Sequence, residues 1–254
     1  MDKGNEITKI PIAYKLPPNM EIEAFPPEPE PKKSKPRPKT VERIKHEVGQ
    51  APSAVHWFGN QVCSIDIETS GPDPWLHEIL QIAILPLTSD FKIRKNTIPF
   101  YINIMPEYPQ LAAFGTTRKK MLEVMNNGFE SEAAKDLLYK WVEKLHLPLA
   151  KDGTPKQIYP LGHNYTHDRA FMLKWLGYEN YNEFFGPRIL DSMTTAIYLN
   201  DRATFHGVGA PFSRVDLTWL AGFFNIDTFG RHDALVDTKI TAELYRNLCQ
   251  YGAF

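Results

Sequence analysis

Cysteine is scarce. Only two occur in 254 residues, Cys63 and Cys249, too few for a disulfide framework and in keeping with a reducing compartment. Charge bias is missing as well: 29 Lys+Arg stand against 30 Asp+Glu, a formal net charge of -1. That balance excludes the global basic field of a histone or a polybasic membrane binder, so any nucleic-acid contact has to come from a local patch or from bound metal. Cys and His never cluster with the spacing of a soft metal site. No apolar run approaches the ~20 residues of a membrane span, and the first residues lack the basic, apolar and small-residue succession of a signal peptide. The expectation is a soluble cytoplasmic protein, of a cell or of an infected host cell, with no membrane partner. No internal repeat is found.

What is present divides unevenly along the chain. Residues 1 to about 40 are crowded with proline, from Pro26-Pro27-Glu28-Pro29-Glu30-Pro31 into Lys32-Lys33-Ser34-Lys35-Pro36-Arg37-Pro38-Lys39. Proline fixes φ and removes a donor, so such a run favours an extended polyproline II chain and packs no core. We read residues 1–50 as a flexible arm, either a solvated linker or a tether in which Ile10 to Tyr14 is the segment best suited to dock. A short helix is expected over Thr40 to Val48. Residues 51–254 hold the apolar periodicity and read as one folded domain; with 43% hydrophobic and 12% aromatic residues in the chain, a sizeable core is available.

Within that domain the period of the apolar residues predicts the elements. Val62 to Gly71 alternates as a strand, and Glu78 to Leu87 is a nearly continuous apolar run of strand length. Ile98 to Met105 alternates again, so the three suggest an antiparallel meander. Leu111 to Asn126 and Ser131 to His146 predict helices, the second with a stripe of Ala134, Leu137, Leu138, Trp141, Val142 and Leu145. Gln157 to Asn164 predicts a strand that turns into a helix from about Thr166 to Leu176, stopped by Gly177. Arg188 to Asp191 reads as a short strand and Ser192 to Leu199 as a helix. Asn200 to Ser213 reads as a loop, Leu217 to Phe224 as a short helix, and Asp233 to Tyr251 as a longer one. Strands first, then strand and helix alternating, describe an α/β fold with a mixed central sheet flanked by helices.

The chemistry is concentrated in Val-Cys-Ser-Ile-Asp-Ile-Glu-Thr-Ser-Gly, residues 62–71. Alternation places Cys63, Ile65 and Ile67 on one face and Ser64, Asp66 and Glu68 on the other. At roughly 3.3 Å per residue the two acidic Cα atoms stand about 6.6 Å apart, close enough for both carboxylates to reach one ion. Side by side in an apolar sheet they would repel each other and resist desolvation, a difficulty that a hard divalent cation removes. Asp-x-Glu alone is more often an edge strand with a solvated polar face, so the decision falls to its partners. Those are Gly162-His163-Asn164 followed by Asp168, and His232-Asp233 followed by Asp237. Carboxylates near the starts of two helices can converge with a strand pair at one end of a sheet.

With these motifs in order, the chain resembles the DnaQ-like 3'–5' exonucleases, the DEDDh branch of the DEDD superfamily, which has an RNase H-like fold. Asp66-Ile67-Glu68-Thr69 matches the first motif, Gly162-His163-Asn164 with Asp168 the second, and His232 with Asp237, five positions later, the third. The match runs from about Gln61 to Leu248; residues 1 to about 50 have no counterpart. The resemblance implies metal-dependent hydrolysis of terminal phosphodiesters to nucleoside monophosphates, at single-stranded or frayed 3' ends, with DNA favoured. It implies two Mg2+ or Mn2+ ions held by Asp66, Glu68, Asp168 and Asp237, and His232 as general base, since imidazoles titrate near neutrality. Thr69, Ser70 and Asn164 would contact the terminal nucleotide, and Asp191 would support the site without being a ligand. Asp233 reads as a helix cap. Trp75 or Leu76 would either stack on terminal bases or, as we expect, pack in the core. Arg118, Lys119 and Lys120 would meet phosphate or simply face solvent.

Two functional readings follow. A proofreading or processing exonuclease of this size would need a DNA polymerase or other replication protein in trans, with the proline-rich arm as tether. A module that holds a nucleic-acid end or partner on a nuclease fold without catalysis would be signalled by a lost ligand, and none of the five catalytic positions is lost.

Overall fold

The structure, a computed structural model, describes residues 56–109 and 117–251. The chain divides into one unit of Met1–Val48 and another of Gly49–Phe254, and every described element belongs to the second. The arm of residues 1–50, with its Ile10 to Tyr14 segment and the helix expected over Thr40 to Val48, lies outside the described residues. So do the first part of the helix expected from Leu111 and the side chains of Arg118, Lys119 and Lys120.

Five strands form one sheet in the order β3-β2-β1-β4-β5. The central β1 (Val62–Thr69) pairs antiparallel with β2 (Ile79–Pro86), which pairs antiparallel with β3 (Phe100–Asn103), giving the meander that the alternation predicts. On its other side β1 pairs in parallel with β4 (Tyr159–Gly162), and β4 with β5 (Leu190–Asp191). Parallel pairing requires crossovers, which the helices supply. Seven helices occur among the described residues: α1 (Thr117–Asn127), α2 (Ser131–Lys144), α3 (Tyr165–Leu176), α4 (Tyr178–Phe184), α5 (Ser192–Phe205), α6 (Leu217–Phe223) and α7 (Ala234–Gln250).

The alternation of β1 decides what each sheet face meets. Cys63, Ile65 and Ile67, joined by Ile82 and Ile84 of β2, pack against Ala134, Leu138 and Val142 of α2 and Phe171 and Met172 of α3. Each large aliphatic side chain stripped of water there contributes about 1.5–3 kcal/mol. Val62 and Leu161 face the other way, onto Ala242 of α7, and Ile240 and Leu244 of α7 share a core with α5 and α6. Helices therefore cover both faces, and the polar residues of β1 lie beneath α7: the buried Ser64 donates its Oγ–H to the Thr238 carbonyl at 2.9 Å.

Two local expectations need correction, and one helix was not expected at all. The segment from Asn200 to Ser213 is not a loop throughout, because α5 continues to Phe205. Leu199 and Ala203 face the core, and the Asn200 side chain, a poor helix former, is occupied in clamping Phe212 through its N–H and C=O. Ile98 is 81% exposed and stands outside the strand. The helix α4, with only Tyr181 fully buried, escapes a periodicity argument altogether.

Candidate active site

The first two acidic residues come from the half of β1 that has lost its parallel neighbour. Pairing with β4 covers only Val62, Cys63 and Ser64, so beyond Ser64 the flank of β1 is open. The Ile67 N–H, left without a strand partner there, is taken instead by Asp168 Oδ1, at 3.1 Å. Asp168 lies in the first turn of α3, and α3 is aimed by the turn before it. Gly162 is required there, because a Cβ would stand 2.7 Å from the Tyr165 Cβ. Asn164 takes the left-handed conformation, φ 59°, which Asn tolerates better than most residues. Asp191 then fixes the start of the helix: its Oδ2 accepts the Tyr165 N–H at 2.6 Å while its Oδ1 caps α5 through the Thr194 N–H at 2.9 Å. It has the supporting place that the sequence suggested.

The third acidic contribution comes from α7. Asp233 is its N-cap, as expected, accepting from Leu235 and Val236. His232, just outside, has φ 67°. Asp237, one turn in and 4% exposed, points toward β1. One ligand atom each from Glu68, His232 and Asp237 lie within 4.8 Å of one another. Asp66 belongs to the same group electrostatically. Its carboxyl is held well above the ordinary range, first by burial and then by the charges of Asp168, Asp237 and Glu68, with Arg231 opposing. Asp168, 6% exposed, is pushed up to about 8, again first by burial, with the Ile67 N–H pulling down and Asp191 and Glu68 pushing up. Burial also raises Asp237, against the pull of Arg231. The structure thus brings Asp66, Glu68, Asp168, Asp237 and His232 together at the carboxyl end of β1.

Such a set is a poor arrangement for a bare protein. Like charges in a low-dielectric pocket cannot all ionise, and Asp237 Oδ1 is buried without a hydrogen bond. Hard divalent cations fit both facts, as the oxygen-rich donor set is what Mg2+ or Mn2+ selects. Asp66, Glu68, Asp168 and Asp237 are the residues that would hold them.

The remaining expected contacts fall out differently. Thr69 Oγ1 donates to the Gly71 carbonyl, and Ser70 is buried with its N–H on the Glu78 carbonyl and its Oγ accepting from the Glu78 N–H. Ser70 therefore shapes the turn beside the pocket. Asn164 is exposed, its Oδ1 accepting from Thr166. Trp75 and Leu76 do not pack in the core: Trp75 is 84% exposed and Leu76 59%. The Gly71 to Pro74 turn carries them clear of it.

Arg231 went unnoticed in the sequence, although it directly precedes His232. Its Nε lies 3.4 Å from Asp237 Oδ1, an ion pair without hydrogen-bond geometry, and its Nη1 donates to Thr218 Oγ1. It is the cation that restrains the pKa values of Asp66 and Asp237. His163 was named in the second motif but given no role; its Nδ1 lies 2.8 Å from Ser192 Oγ, linking that motif to α5. Burial lowers its pKa, and Asp191 works against that.

No protein-family model matches the chain, and no curated protein does. Solved structures do. Exonuclease I of E. coli in complex with a dT13 oligonucleotide aligns at a TM-score of 0.56 and 18% identity, over 74% of this chain and 40% of that one. The cell-death related nuclease 4 (CRN-4) aligns at 0.55 and 16%, over 76% and 64%. The nuclease domain of 3'hExo, a DEDDh family member solved with bound rAMP, aligns at 0.55 and 17%, over 78% of this chain and 96% of that domain. The chain thus spans less than two thirds of exonuclease I and of CRN-4, and nearly all of the 3'hExo nuclease domain. At these identities the likeness is one of architecture: the protein has the RNase H-like α/β fold seen in the DEDDh 3'–5' exonucleases.

Proposed function

We propose that the protein is a metal-dependent 3'–5' exonuclease that releases nucleoside monophosphates from single-stranded or frayed 3' ends, DNA more readily than RNA. The observation that carries this is the convergence of Asp66, Glu68, Asp168, Asp237 and His232 at the carboxyl end of β1. Two divalent cations, when bound, would supply Lewis-acid polarisation of the phosphodiester and neutralise the charge that develops on its oxygens. An E. coli exonuclease I complex with single-stranded DNA has been solved in a zinc-bound form, in accord with such a requirement.

The chain's own contributions follow from position. His232 is exposed at the rim, where a ring nitrogen can take the proton of the attacking water. Arg231, beside the acidic group, offsets part of its charge, so the pocket accepts an anionic substrate with less repulsion. Thr69 and Asn164 would meet the terminal nucleotide. Trp75, exposed on the hairpin that follows β1, would stack on a base.

The test is direct. Asp66→Ala should abolish Mg2+-dependent release of mononucleotides from a 3'-labelled oligonucleotide, and turnover at the wild-type rate would end the assignment. Digestion of matched DNA and RNA oligomers settles the sugar preference. A proofreading or processing role would join this activity to a polymerase or other replication protein through residues 1–50. Deleting residues 1–40 should then weaken co-purification with that partner and spare hydrolysis.

A further inference from the structure

We propose that Tyr101 is a positioning residue for His232, acting through Asp233 and Gln81; the proposal rests on the exonuclease reading above. Gln81 lies in the middle of β2 and is completely buried. A glutamine there is costly unless its amide is satisfied, and this one is: Nε2 donates to Tyr101 Oη at 3.0 Å and to Asn103 Oδ1 at 2.8 Å, and Oε1 accepts the Ala234 N–H at 2.9 Å. The β2–β3 register makes this possible, setting Asn103 opposite Gln81 and Tyr101 opposite Ala83.

The Asp233 carboxylate is shared in the same way. Its Oδ1 accepts from the Leu235 and Val236 N–H groups, and its Oδ2 receives the Tyr101 hydroxyl at 2.6 Å. Three successive N–H groups at the start of α7 are therefore held, two by a capping side chain that is itself anchored to β3 and one by a residue of β2. Desolvation and the Asp233 charge both raise the Tyr101 pKa, so the phenol remains a donor throughout the neutral range.

His232 immediately precedes this anchored start with φ 67°. A histidine in the left-handed region persists only where its surroundings over-determine it. The peptide following it is fixed by the Asp233 cap, and the cap is fixed by Tyr101. Removing the phenol oxygen keeps the Asp233 cap of α7 but cuts its tie to β3, which loosens the backbone that carries the imidazole. Displacements of that size at a reacting group cost far more in rate than in binding.

The experiment is a double-mutant cycle of Tyr101→Phe and His232→Ala on a 3'-labelled single-stranded DNA oligonucleotide with Mn2+, accompanied by histidine-selective NMR of the cation-free proteins. Tyr101→Phe should lower kcat about tenfold with KM within about twofold, and should cause no further loss in the His232→Ala background. Calorimetric Mn2+ affinity should be unchanged. In the spectra the His232 ring signals should broaden or shift while those of His163 and His206 stay in place. An equal loss in both backgrounds, or unaltered His232 signals, overturns the proposal. Wild-type turnover in His232→Ala would instead overturn the exonuclease reading, and the spectra would still decide whether Tyr101 orders the imidazole.

Discussion

Replacing Asp168 by Asn should stabilise the cation-free protein while removing a residue its proposed activity needs. The amide keeps an acceptor for the Ile67 N–H, which Asp168 Oδ1 now holds at 3.1 Å, so the backbone contact survives and only the ionisable group is lost. An ordinary aspartate ionises near 3.8 and this one near 8. For an acid whose folded pKa is raised, both states are protonated below the unfolded value and nothing is lost there. As pH rises from about 4 toward 8 the unfolded chain ionises freely and the folded one does not, and stability falls across that window. At pH 7, at 1.36 kcal/mol per pH unit above 3.8, the loss is about 4 kcal/mol. That is an upper limit, because Asp66 competes for the same proton. For a domain of this size about 2 kcal/mol corresponds to roughly 4–8 °C in Tm. Melting in chelator at pH 5, 6, 7 and 8 should show Asp168→Asn above the wild type at pH 7–8 and converging with it near pH 5. Adding Mn2+ at pH 8 should raise the wild type and barely move the variant. A variant that melts at or below the wild type at pH 8, or a gap that does not narrow toward pH 5, would refute the account of a charge-strained pocket.

Three other substitutions probe separate parts of the same construction. Asp191→Ala removes the cap of α5 and the acceptor for the Tyr165 N–H, and should cost about 1–3 kcal/mol in chemical denaturation; an unchanged midpoint would show that neither bond matters. Gly162→Ala forces a Cβ to within 2.7 Å of the Tyr165 Cβ. It should lower stability by about 1–3 kcal/mol and weaken Mn2+ binding, since Asp168 moves with α3; calorimetry tests the second part. Trp75→Ala, at an exposed position, should leave Tm within about 2 °C of the wild type yet raise KM for single-stranded oligonucleotides several-fold, and an unaltered KM would remove Trp75 from substrate binding.

How much of this could be read from the residues alone depends on the range of the forces involved. Strand β1 and helices α2 and α7 were legible because one periodic apolar face determines each of them, and α3 because a strand-ending turn precedes it and Gly177 stops it. The acidic positions could be singled out because the motifs of the resemblance fix side-chain type at set spacings, so Asp66 with Glu68, Asp168, and His232 with Asp237 stand out against their neighbours. The end of α5 was not: Asn200 looks like a helix breaker until Phe212, twelve residues on, supplies partners for its amide. Trp75 was misjudged because a large aromatic residue is ordinarily worth burying, and a turn rich in glycine and proline does not say which way its tip points. The Gln81, Tyr101 and Asp233 network lay further out of reach. Its members are unremarkable one at a time and meet only through the β2–β3 register and the docking of α7.

Since β4 leaves β1 after Ser64, the main-chain proton of Ile67 has a side chain, not a strand, for company. Most interior amides of a sheet report on the sheet, but this one reports on a carboxylate. Anything that draws Asp168 away should quicken the exchange of that single amide with solvent, while Ile65, two residues earlier on the same strand, keeps its pace. The backbone thus carries its own gauge of pocket occupancy, one that can be read without substrate or turnover.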